Sequence, residues 1–542
     1  MQLSAFDLQQ IDNDYINSLP KSSLALLCQK LSTDLKEAHD RLNQNPRNSS
    51  RPPSSEPPWN NSQSNEIEES LEQNEELTEK DLLSGNGEFA QDDDEDNESD
   101  NNESDNNEQE KSQETNHAQD DKSEDSTKKP GKQPGAQGFG LKFGTNIEVS
   151  ETIFHKPDTC QCCGKAFDES TKFTSYTACF EIELMIPLSG VGLELKKTKH
   201  IYDEGECHCG HISRSEPGRC PKEKGWTVEL TEWHMVGPLL ASFIVCLSKH
   251  HHMSRQRIHQ WLFEWLGLSL SVGTINQCIH EAGRALTPVV EGEIMDEIMM
   301  SALLHADETP WKEKKEKLWL WVFSCASATL FIVGRRAKKI AQKILGQFNG
   351  WLMSDGYLCY RDYEWRLRCW AHLLRKARGL AESLEQQARN FGKQTLQLLE
   401  ALIQAIYQAR ENPTGEDLYK LHQEKLLKFC ALCEEHWDCE HEKTRALARE
   451  FWYDWDAIWC VLENPSLPLT NNEAERALRH WVIARRISFG TRTAQGTAAF
   501  TAIASVIDTC YKRNVAPWEY IADVIRVRRK GLNVPPLPAV AA

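Results

Sequence analysis

The sequence lacks an apolar run long enough to cross a bilayer, and residues 1–20 lack the apolar core of a secretion signal. The longest apolar stretch, Val236 to Leu247, is typical of a buried helix. These absences argue against a membrane protein and predict a cytoplasmic one. In that reducing compartment the 18 cysteines are expected to be packed thiols or metal ligands.

The chain also lacks the basic excess expected of a nucleic-acid-binding protein, because its net charge is -19. Residues 61–129 contain about 25 acidic and about 5 basic residues, so the remainder is close to neutral, near +1. This acidic stretch has too little apolar surface to offset the entropy of ordering. We predict a disordered linker over residues 46–130, acting as a tether, as a DNA-repelling segment or simply as a solvated spacer.

Residues 1–45 are predicted to be helical. From residue 24 the apolar positions alternate in steps of four and three, a pattern that favours a short coiled coil. One amphipathic helix packed on its own domain would give the same pattern over so few heptads. The positions are Leu24, Cys28, Leu31, Leu35, Ala38 and Leu42.

Two closely spaced cysteine pairs predict a zinc-binding β domain over residues 131–225. Each pair is followed by glycine, which allows a turn whose backbone amides point at the thiolates. Four thiolates suit tetrahedral Zn²⁺ in a structural site. The pairs are Cys160 with Cys163 and Cys207 with Cys209, while Cys162, Cys220, His208 and His211 remain alternative ligands.

Residues 226–295 are predicted to be helical and to contain a helix-turn-helix. Gly267 should end its first helix, and Ser271 can cap the second. Such a unit can place its second helix in the major groove of DNA, although an ordinary helical hairpin would show the same pattern. The predicted apolar face of the first helix consists of Ile258, Leu262 and Trp265, and the preceding triplet His250 to His252 could bind a metal or begin a solvated helix.

The remainder predicts a multidomain α/β protein. Residues 296–365 alternate short apolar strands with turns, residues 366–468 form a helical insertion, residues 469–530 return to the core and residues 531–542 form a tail. Three acids stand out in this region: Asp307 and Asp355 at the predicted ends of two strands, and Glu475 near the start of a helix. Carboxylates gathered at one crevice suit two Mg²⁺ ions, which support phosphodiester chemistry.

Each acid also has an ordinary structural explanation. Asp307 could begin a turn, Asp355-Gly is a common turn pair, and Glu475 could complete a capping box with Asn472. Glu473 remains an alternative third carboxylate. Phosphate-binding candidates are Arg375, Lys376, Arg476, Arg479, Arg485 and Arg486, and His372 either lies near the site or packs on Trp370.

The ordered motifs resemble the insertion-sequence-66 family of bacterial DDE transposases. They are LNQNPRNSSRPPSS, GKQPGAQG, the CxxCG and CxCG pairs, HADETPW, SDGYLCY with RCWAHLLRKARGL, and TNNEAERALRHWVIARRISFGTRTAQGTAAFTAIASVIDTC. The likeness spans nearly the whole chain outside residues 60–127. Two departures are the acidic stretch itself and Gln137, where the family often has histidine.

The resemblance implies a ribonuclease H-like catalytic core and a leucine-zipper-like N-terminal helix. It implies that Asp307, Asp355 and Glu475 hold two Mg²⁺ or Mn²⁺ ions, and that Cys160, Cys163, Cys207 and Cys209 bind Zn²⁺. The expected partners of such a transposase are the terminal inverted repeats of its mobile element, target DNA, further copies of the chain and accessory proteins of the same element. Alternatives are a nuclease that does not join ends and a non-catalytic DNA-binding regulator.

Overall fold

The computed structural model of this chain describes residues 11, 13–42, 147–187, 192–413, 415 and 417–540. The predicted linker and the motif residues 43–55 and 131–138, with Gln137, lie outside the described residues. The described part is a mixed α/β protein with two mixed sheets. None of its described helices combines the length and apolar character that a membrane crossing needs.

The chain begins with helices α1 (Asn13–Ser18) and α2 (Lys21–Leu42). Leu35, one of the heptad positions, is 72% exposed. In the same half of α2, Lys36 Nζ lies 2.9 Å from Glu385 Oε2, and Ser383 donates a hydrogen bond to Asp40. Helix α2 therefore packs by its last turns on this chain's own helical insertion. A coiled coil with another molecule stays a prediction.

The first sheet contains the cysteine pairs. Its order is β1-β3-β2, with β1 parallel and β2 antiparallel to β3, and a short β4 also pairs with β3. These strands lie in the region predicted to be a β domain, residues 131–225. Their bounds are β1 Val149–His155, β2 Phe173–Met185, β3 Glu194–Glu206 and β4 Ile212–Arg214.

A helical layer follows, with α3 (Pro238–Lys249), α4 (Arg255–Leu266) and α5 (Val272–Val289), then a π-helical turn and α6 (Met295–Met300). As predicted, Gly267 ends α4 in the left-handed conformation, and the Ser271 side chain accepts a hydrogen bond from Thr274 N at the start of α5. Trp265 departs from the predicted apolar face, because it is 73% exposed.

Helix α5 is the central helix of this layer. All of residues 281–286 are buried. The backbone of Gly283 approaches a later helix so closely that a Cβ there would lie 2.4 Å from Ala499 Cα. A helix buried on every side through its middle cannot lie in a DNA groove. The exposed residues of this helix, residues 271–273 and Gln277, lie in its first half, so only that half could contact DNA.

The second sheet has the order β7-β6-β5-β8-β9. Strands β5, β6 and β7 are antiparallel neighbours, whereas β8 runs parallel to β5 and β9 runs parallel to β8. Helix α7 (Lys338–Leu345) connects β7 to β8. The strands are β5 Leu303–Glu313, β6 Glu316–Ser324, β7 Thr329–Gly334, β8 Trp351–Ser354 and β9 Arg366–Arg368, of which β9 was not predicted.

The helical insertion has its own hydrophobic core, in which Trp370 and Trp459 are fully buried. Its two ends are tied together, since Trp370 N donates a 2.7 Å hydrogen bond to Leu469 O. The chain therefore leaves the sheet and returns to it at nearly the same place. The helices are α8 Trp370–Ala381, α9 Gln386–Glu411, α10 Leu418–Leu421, α11 Gln423–Glu435, α12 Glu442–Tyr453 and α13 Trp455–Glu463.

Three further helices complete the fold: α14 (Asn472–Ser488), α15 (Ala494–Lys512) and α16 (Pro517–Arg529). Helix α16 was not predicted. It is joined to α5 by a buried bidentate pair, Arg529 with Glu281, at 2.7 and 2.9 Å. The predicted tail also packs on the protein, because Leu537 is buried.

Candidate active site

Two of the three predicted carboxylates come from neighbouring parallel strands. The register pairs Leu303 with Trp351 and His305 with Met353, so Asp307 and Asp355 each lie two residues beyond a paired position. Side chains two residues apart on a strand share a face, which directs both carboxylates to the same side of the sheet. Asp355 follows the end of β8, as predicted.

Asp307 does not end its strand as predicted. Strand β5 continues to Glu313, and Asp307 pairs with Val322 of β6 in its middle. The antiparallel hairpin extends β5 beyond the point where β8 stops. Asp307 therefore stands on a continuous strand, and Glu308 N donates a 2.8 Å hydrogen bond to its Oδ1.

The third carboxylate is brought to the sheet by Asn471. This buried residue precedes α14, donates to Ala306 O at 3.0 Å and faces His305 Nδ1 at 3.2 Å through Oδ1. Its side chain makes no capping bond to its own helix. Glu475 thus lies in the first turn of a helix fastened beside Asp307, and the N-cap of that helix is Asn471 rather than Asn472, the residue of the alternative capping box. Sequence reasoning missed the role of Asn471, although it is the first residue of the Asn-Asn pair in the TNNEAER motif.

The three acids are close enough for their charges to affect one another. Burial, followed by the nearby charges of Asp355, Glu308 and Glu475, holds the pKa of Asp307 well above its ordinary value. All three proposed ligands remain partly accessible to solvent. The carboxylates repel one another, and solvent can reach them. A hard divalent cation, which prefers oxygen ligands, would stabilise such a site.

Glu308 is a buried acid next to Asp307 that binds two side chains near the site. Its carboxylate accepts hydrogen bonds from Arg336 at 3.0 Å and from Tyr360 at 3.0 Å. Burial and the charge of Asp355 raise its pKa to about 7. Arg336 lies between the Trp319 and Tyr357 rings, at 4.2 and 4.1 Å from their centroids. The only sequence signal for Glu308 was its place next to Asp307 in the HADETPW motif.

His372 lies at the edge of the site. Its Nδ1 is 3.9 Å from Glu475 Oε1 and has no hydrogen-bond partner among the described residues. Burial and the charge of Arg375 lower the pKa of His372 to about 4, so the ring is neutral. Cys369 lies close to both side chains. Burial raises the pKa of this thiol to about 12, which disfavours the thiolate form that binds metals.

The partners of the Glu473 carboxylate lie outside the group formed by Asp307, Asp355 and Glu475. Glu473 Oε1 forms an ion pair with Lys512 and accepts a 3.2 Å hydrogen bond from Ser324 Oγ. Lys512 also donates to Cys325 O. Glu473 thus joins α14 to α15 and the end of β6, whereas the charge of Glu475 acts on Asp307.

The predicted DNA-binding cations fall into two groups. Arg375 is buried, Lys376 pairs with Glu450 at 2.9 Å, and Arg485 donates to Thr309 and Pro310 of β5. Burial leaves Arg375 little surface to offer to a phosphate, and Arg485 also has a structural role at the end of α14. Three others lie on the exposed surface of α14: Arg476, Arg479 and Arg486.

The two cysteine pairs meet in one cluster. Cys160 Sγ lies 3.7 Å from Cys209 Sγ, and Cys163 Sγ lies 3.5 Å from Cys207 Sγ. All four sulfurs fall within 4.8 Å of one another. No other cysteine or histidine joins this group among the described residues.

The turns agree with the predicted role of the glycines. Gly164 and Gly210 have φ values of 72° and 80°, and each donates its amide to the carbonyl of the first cysteine in its pair. Backbone amides of Cys163 and Cys162 and the Ser213 hydroxyl lower the pKa of Cys160 to about 6. The pKa values of Cys207 and Cys209 are raised instead, by burial and by the neighbouring thiols. The four converging sulfurs fit a tetrahedral zinc ion, whose positive charge would favour the thiolate form.

Comparison with known proteins identifies the class. Residues 234–499 match the model of the Transposase IS66 family, a span that contains all three acids. The chain is therefore a transposase, a class of enzyme that acts on DNA. It belongs to the IS66 family.

The similarity to relatives in Sinorhizobium fredii covers more of the chain than the family match does. The uncharacterized protein y4hP is 22% identical over 431 residues, covering 70% of this chain and 72% of its own length. The uncharacterized protein y4jD is 22% identical over 439 residues, covering 73% of this chain and 79% of its own length. Their names state no activity, so the chemistry of this chain must be argued from its own residues.

Proposed function

We propose that this transposase cleaves the ends of a bacterial insertion sequence and joins the freed 3′-hydroxyls to target DNA by two-metal DDE chemistry. The observation that carries the proposal is the parallel register of β5 and β8, which directs Asp307 and Asp355 to one side of the sheet. Three antiparallel strands followed by two parallel ones, in the order 3-2-1-4-5, support a ribonuclease H-like core.

Asp307, Asp355 and Glu475 would hold two Mg²⁺ or Mn²⁺ ions. Their donor atoms are oxygens, they are partly accessible, and their charges destabilise one another without a cation. When bound, such ions activate the attacking oxygen and stabilise the leaving oxygen. Glu308 and Asn471 would keep the carboxylates in place through Arg336 and the backbone of β5.

The reaction has two steps, hydrolysis at the element end and transfer of the freed end to target DNA. In the first, a water oxygen attacks the phosphorus at the element end; the bond to the 3′ oxygen breaks, and that oxygen takes up a proton. In the second, the freed 3′-hydroxyl loses its proton, attacks a phosphorus of target DNA and displaces a target 3′ oxygen, which takes up a proton. The protein's part is to hold the phosphate in line between the two oxygens, without a covalent intermediate.

The other parts of the chain would recognise DNA and assemble the complex. The cysteine cluster would hold a structural Zn²⁺ ion, because four sulfur ligands leave no open position for substrate. Exposed cations of α14 would contact the phosphates of terminal inverted repeats or of target DNA. We propose that the active form is a homo-oligomer and that accessory proteins of the same element take part.

Strand transfer tests this function directly. A labelled, pre-cut element end, taken from the DNA flanking the gene, is incubated with plasmid and Mg²⁺ or Mn²⁺. Wild-type protein should join the end to the plasmid, and Asp307→Ala should bind the end without joining it. Joining by Asp307→Ala at the wild-type rate would remove the carboxylates from the mechanism.

The same assay separates the two alternatives. A nuclease would cleave an intact element end in Mg²⁺ but would not join a pre-cut one. A regulator would bind the end equally well with or without Mg²⁺ and would neither cleave nor join it.

A further inference from the structure

A cavity of about 480 Å³ opens beside Asp355, between the loop after β8 and helix α12 of the insertion. Four cations line it: Arg336 and Arg361 from the core, Lys376 from α8 and Arg449 from α12. Its volume falls within the roughly 300–1,000 Å³ of typical ligand sites. The cavity is continuous with the proposed active site, because Asp355 belongs to its lining.

The cations are held in place from behind. Arg336 is 32% exposed while its partner Glu308 is 1% exposed, and Arg361 is 29% exposed while its partner Asp454 is completely buried. Lys376 is likewise more exposed than Glu450. Because the carboxylate is the deeper member of these three pairs, Arg336, Arg361 and Lys376 are positioned towards the cavity before any ligand arrives. Arg449 is held differently, since it donates hydrogen bonds to Trp437 O at 3.0 Å and to the exposed Asp438 at 2.7 Å. Preorganised donors of this kind lose little freedom on binding an anion.

The network also carries an excess of positive charge. Asp454 binds Arg361, Arg366 and Arg368, and Glu450 binds Arg368 and Lys376. Two carboxylates therefore hold four cations in this group. Arg366 and Arg368 are buried, so their charge is poorly screened by solvent. The resulting potential favours an anion such as a phosphate.

One wall of the cavity offers an aromatic ring. Tyr453 is 56% exposed, and the guanidinium of Arg361 lies 5.1 Å from its ring centroid. Tyr357, whose ring contacts Arg336, lines the other side. Cations with an exposed ring beside them match the two parts of a nucleotide, since phosphates bind arginine and bases stack on aromatic side chains.

We propose that this cavity binds one unpaired nucleotide of the DNA strand that passes through the active site, next to the scissile phosphate. Its base lies against Tyr453, and its phosphate is held by Arg361 and Arg449. A duplex is too wide for a cavity of this size, so the nucleotide must leave the base stack to enter. This inference rests on the proposed function, because it places the cut strand at Asp355.

The test uses full-length Asp307→Ala protein, which binds element-end duplexes without cutting them. A single mismatch is moved through the positions around the cleavage point, and affinity is measured by fluorescence anisotropy. A mismatch lowers the cost of extruding a base. One position should therefore bind at least about fivefold more tightly than matched DNA, and its neighbours should not.

Matched variants assign that gain to the cavity. Adding Tyr453→Ala should remove the mismatch gain, while Tyr453→Phe, which keeps the ring, should retain it. Arg449→Ala should also reduce it and should lower the slope of log affinity against log salt by about 0.7–0.9. Arg445→Ala, on the same helix one turn earlier and outside the cavity lining, should leave both unchanged.

Two results would overturn the inference: no mismatch gain at any position, or a gain that survives Tyr453→Ala. If there is no mismatch gain but a free deoxynucleotide competes with DNA, the cavity is assigned to a mononucleotide. These outcomes do not depend on catalysis, because the protein used is inactive. A mismatch gain together with failed strand transfer by wild type would overturn the proposed function and leave nucleotide binding in place.

Discussion

His372 Nδ1 lies 3.9 Å from Oε1 of Glu475, although His372 is in the first helix of the insertion and Glu475 follows the last one. The insertion leaves the sheet at Trp370 and returns at Leu469, where a backbone hydrogen bond joins its ends. Glu475 follows shortly after Leu469, in the first turn of α14. The insertion can therefore be long without moving the third carboxylate away from the other two.

The two glutamates at the start of α14 should behave differently. Glu475→Gln should reduce strand transfer by more than the 10–100-fold typical of outer-shell substitutions, because it removes a proposed metal ligand. Glu473→Gln should retain activity but lower the midpoint of thermal unfolding, because it breaks the ion pair with Lys512. Rates of joining and unfolding curves of both variants check this. The opposite assignment would follow if Glu473→Gln were inactive and Glu475→Gln active.

Glu308 should act as a positioning residue. Glu308→Gln weakens the charge-assisted bond to Arg336, which stacks on Tyr357 of the Asp355 loop. We expect strand transfer to fall by about 10–100-fold, with more Mg²⁺ needed for half-maximal rate. The exposed neighbour Arg335 provides the control, since Arg335→Gln leaves this contact intact. An unchanged Mg²⁺ requirement in Glu308→Gln would mean that the pair serves folding alone.

The cysteine cluster should contain about one zinc ion per chain. Cys163→Ser removes one of its four sulfurs, so zinc measured by elemental analysis should fall sharply, and hydrogen exchange should accelerate in residues 149–214. Cys162→Ser is the matched control, because Cys162 is exposed and outside the cluster. Equal zinc content in the two variants would exclude this site.

Asp508 should make stability depend on pH. Burial raises its pKa from 3.8 to about 8, and the Trp481 indole N–H donates to it at 3.3 Å. A raised pKa stabilises the folded state fully below pH 4, and that contribution is lost as pH rises from about 4 to 8. Because Asp508 keeps some solvent contact, we expect an effect of about 1–2 kcal/mol.

Urea unfolding at pH 5 and pH 8 measures this effect. Asp508→Asn keeps an acceptor for Trp481 and cannot ionise, so its unfolding free energy should fall less between the two values than that of wild type. An identical fall in both proteins would show that Asp508 does not titrate in this range.

Several features could be predicted because they depend on neighbouring residues. The glycine turns after each cysteine pair, the Gly267 and Ser271 ends of the helix-turn-helix unit and the position of Asp355 after β8 all agree with local sequence. Each depends on residues only a few positions apart. The role of Asn471 could not be predicted, because this N-cap residue of α14 bonds through its side chain to β5 instead of to its own helix.

Local sequence was enough to predict the residue types of the candidate site, the cysteine turns and most helices and strands, because capping, turn formation and periodicity are set within a few residues. Long-range packing, in contrast, established that β5 continues past Asp307, that α5 is buried and that Glu473 binds Lys512. The cavity beside Asp355 also depends on the tertiary structure, since its walls come from segments that are distant in the chain. Strand pairing and helix packing join residues far apart in the chain, and no local pattern specifies those partners.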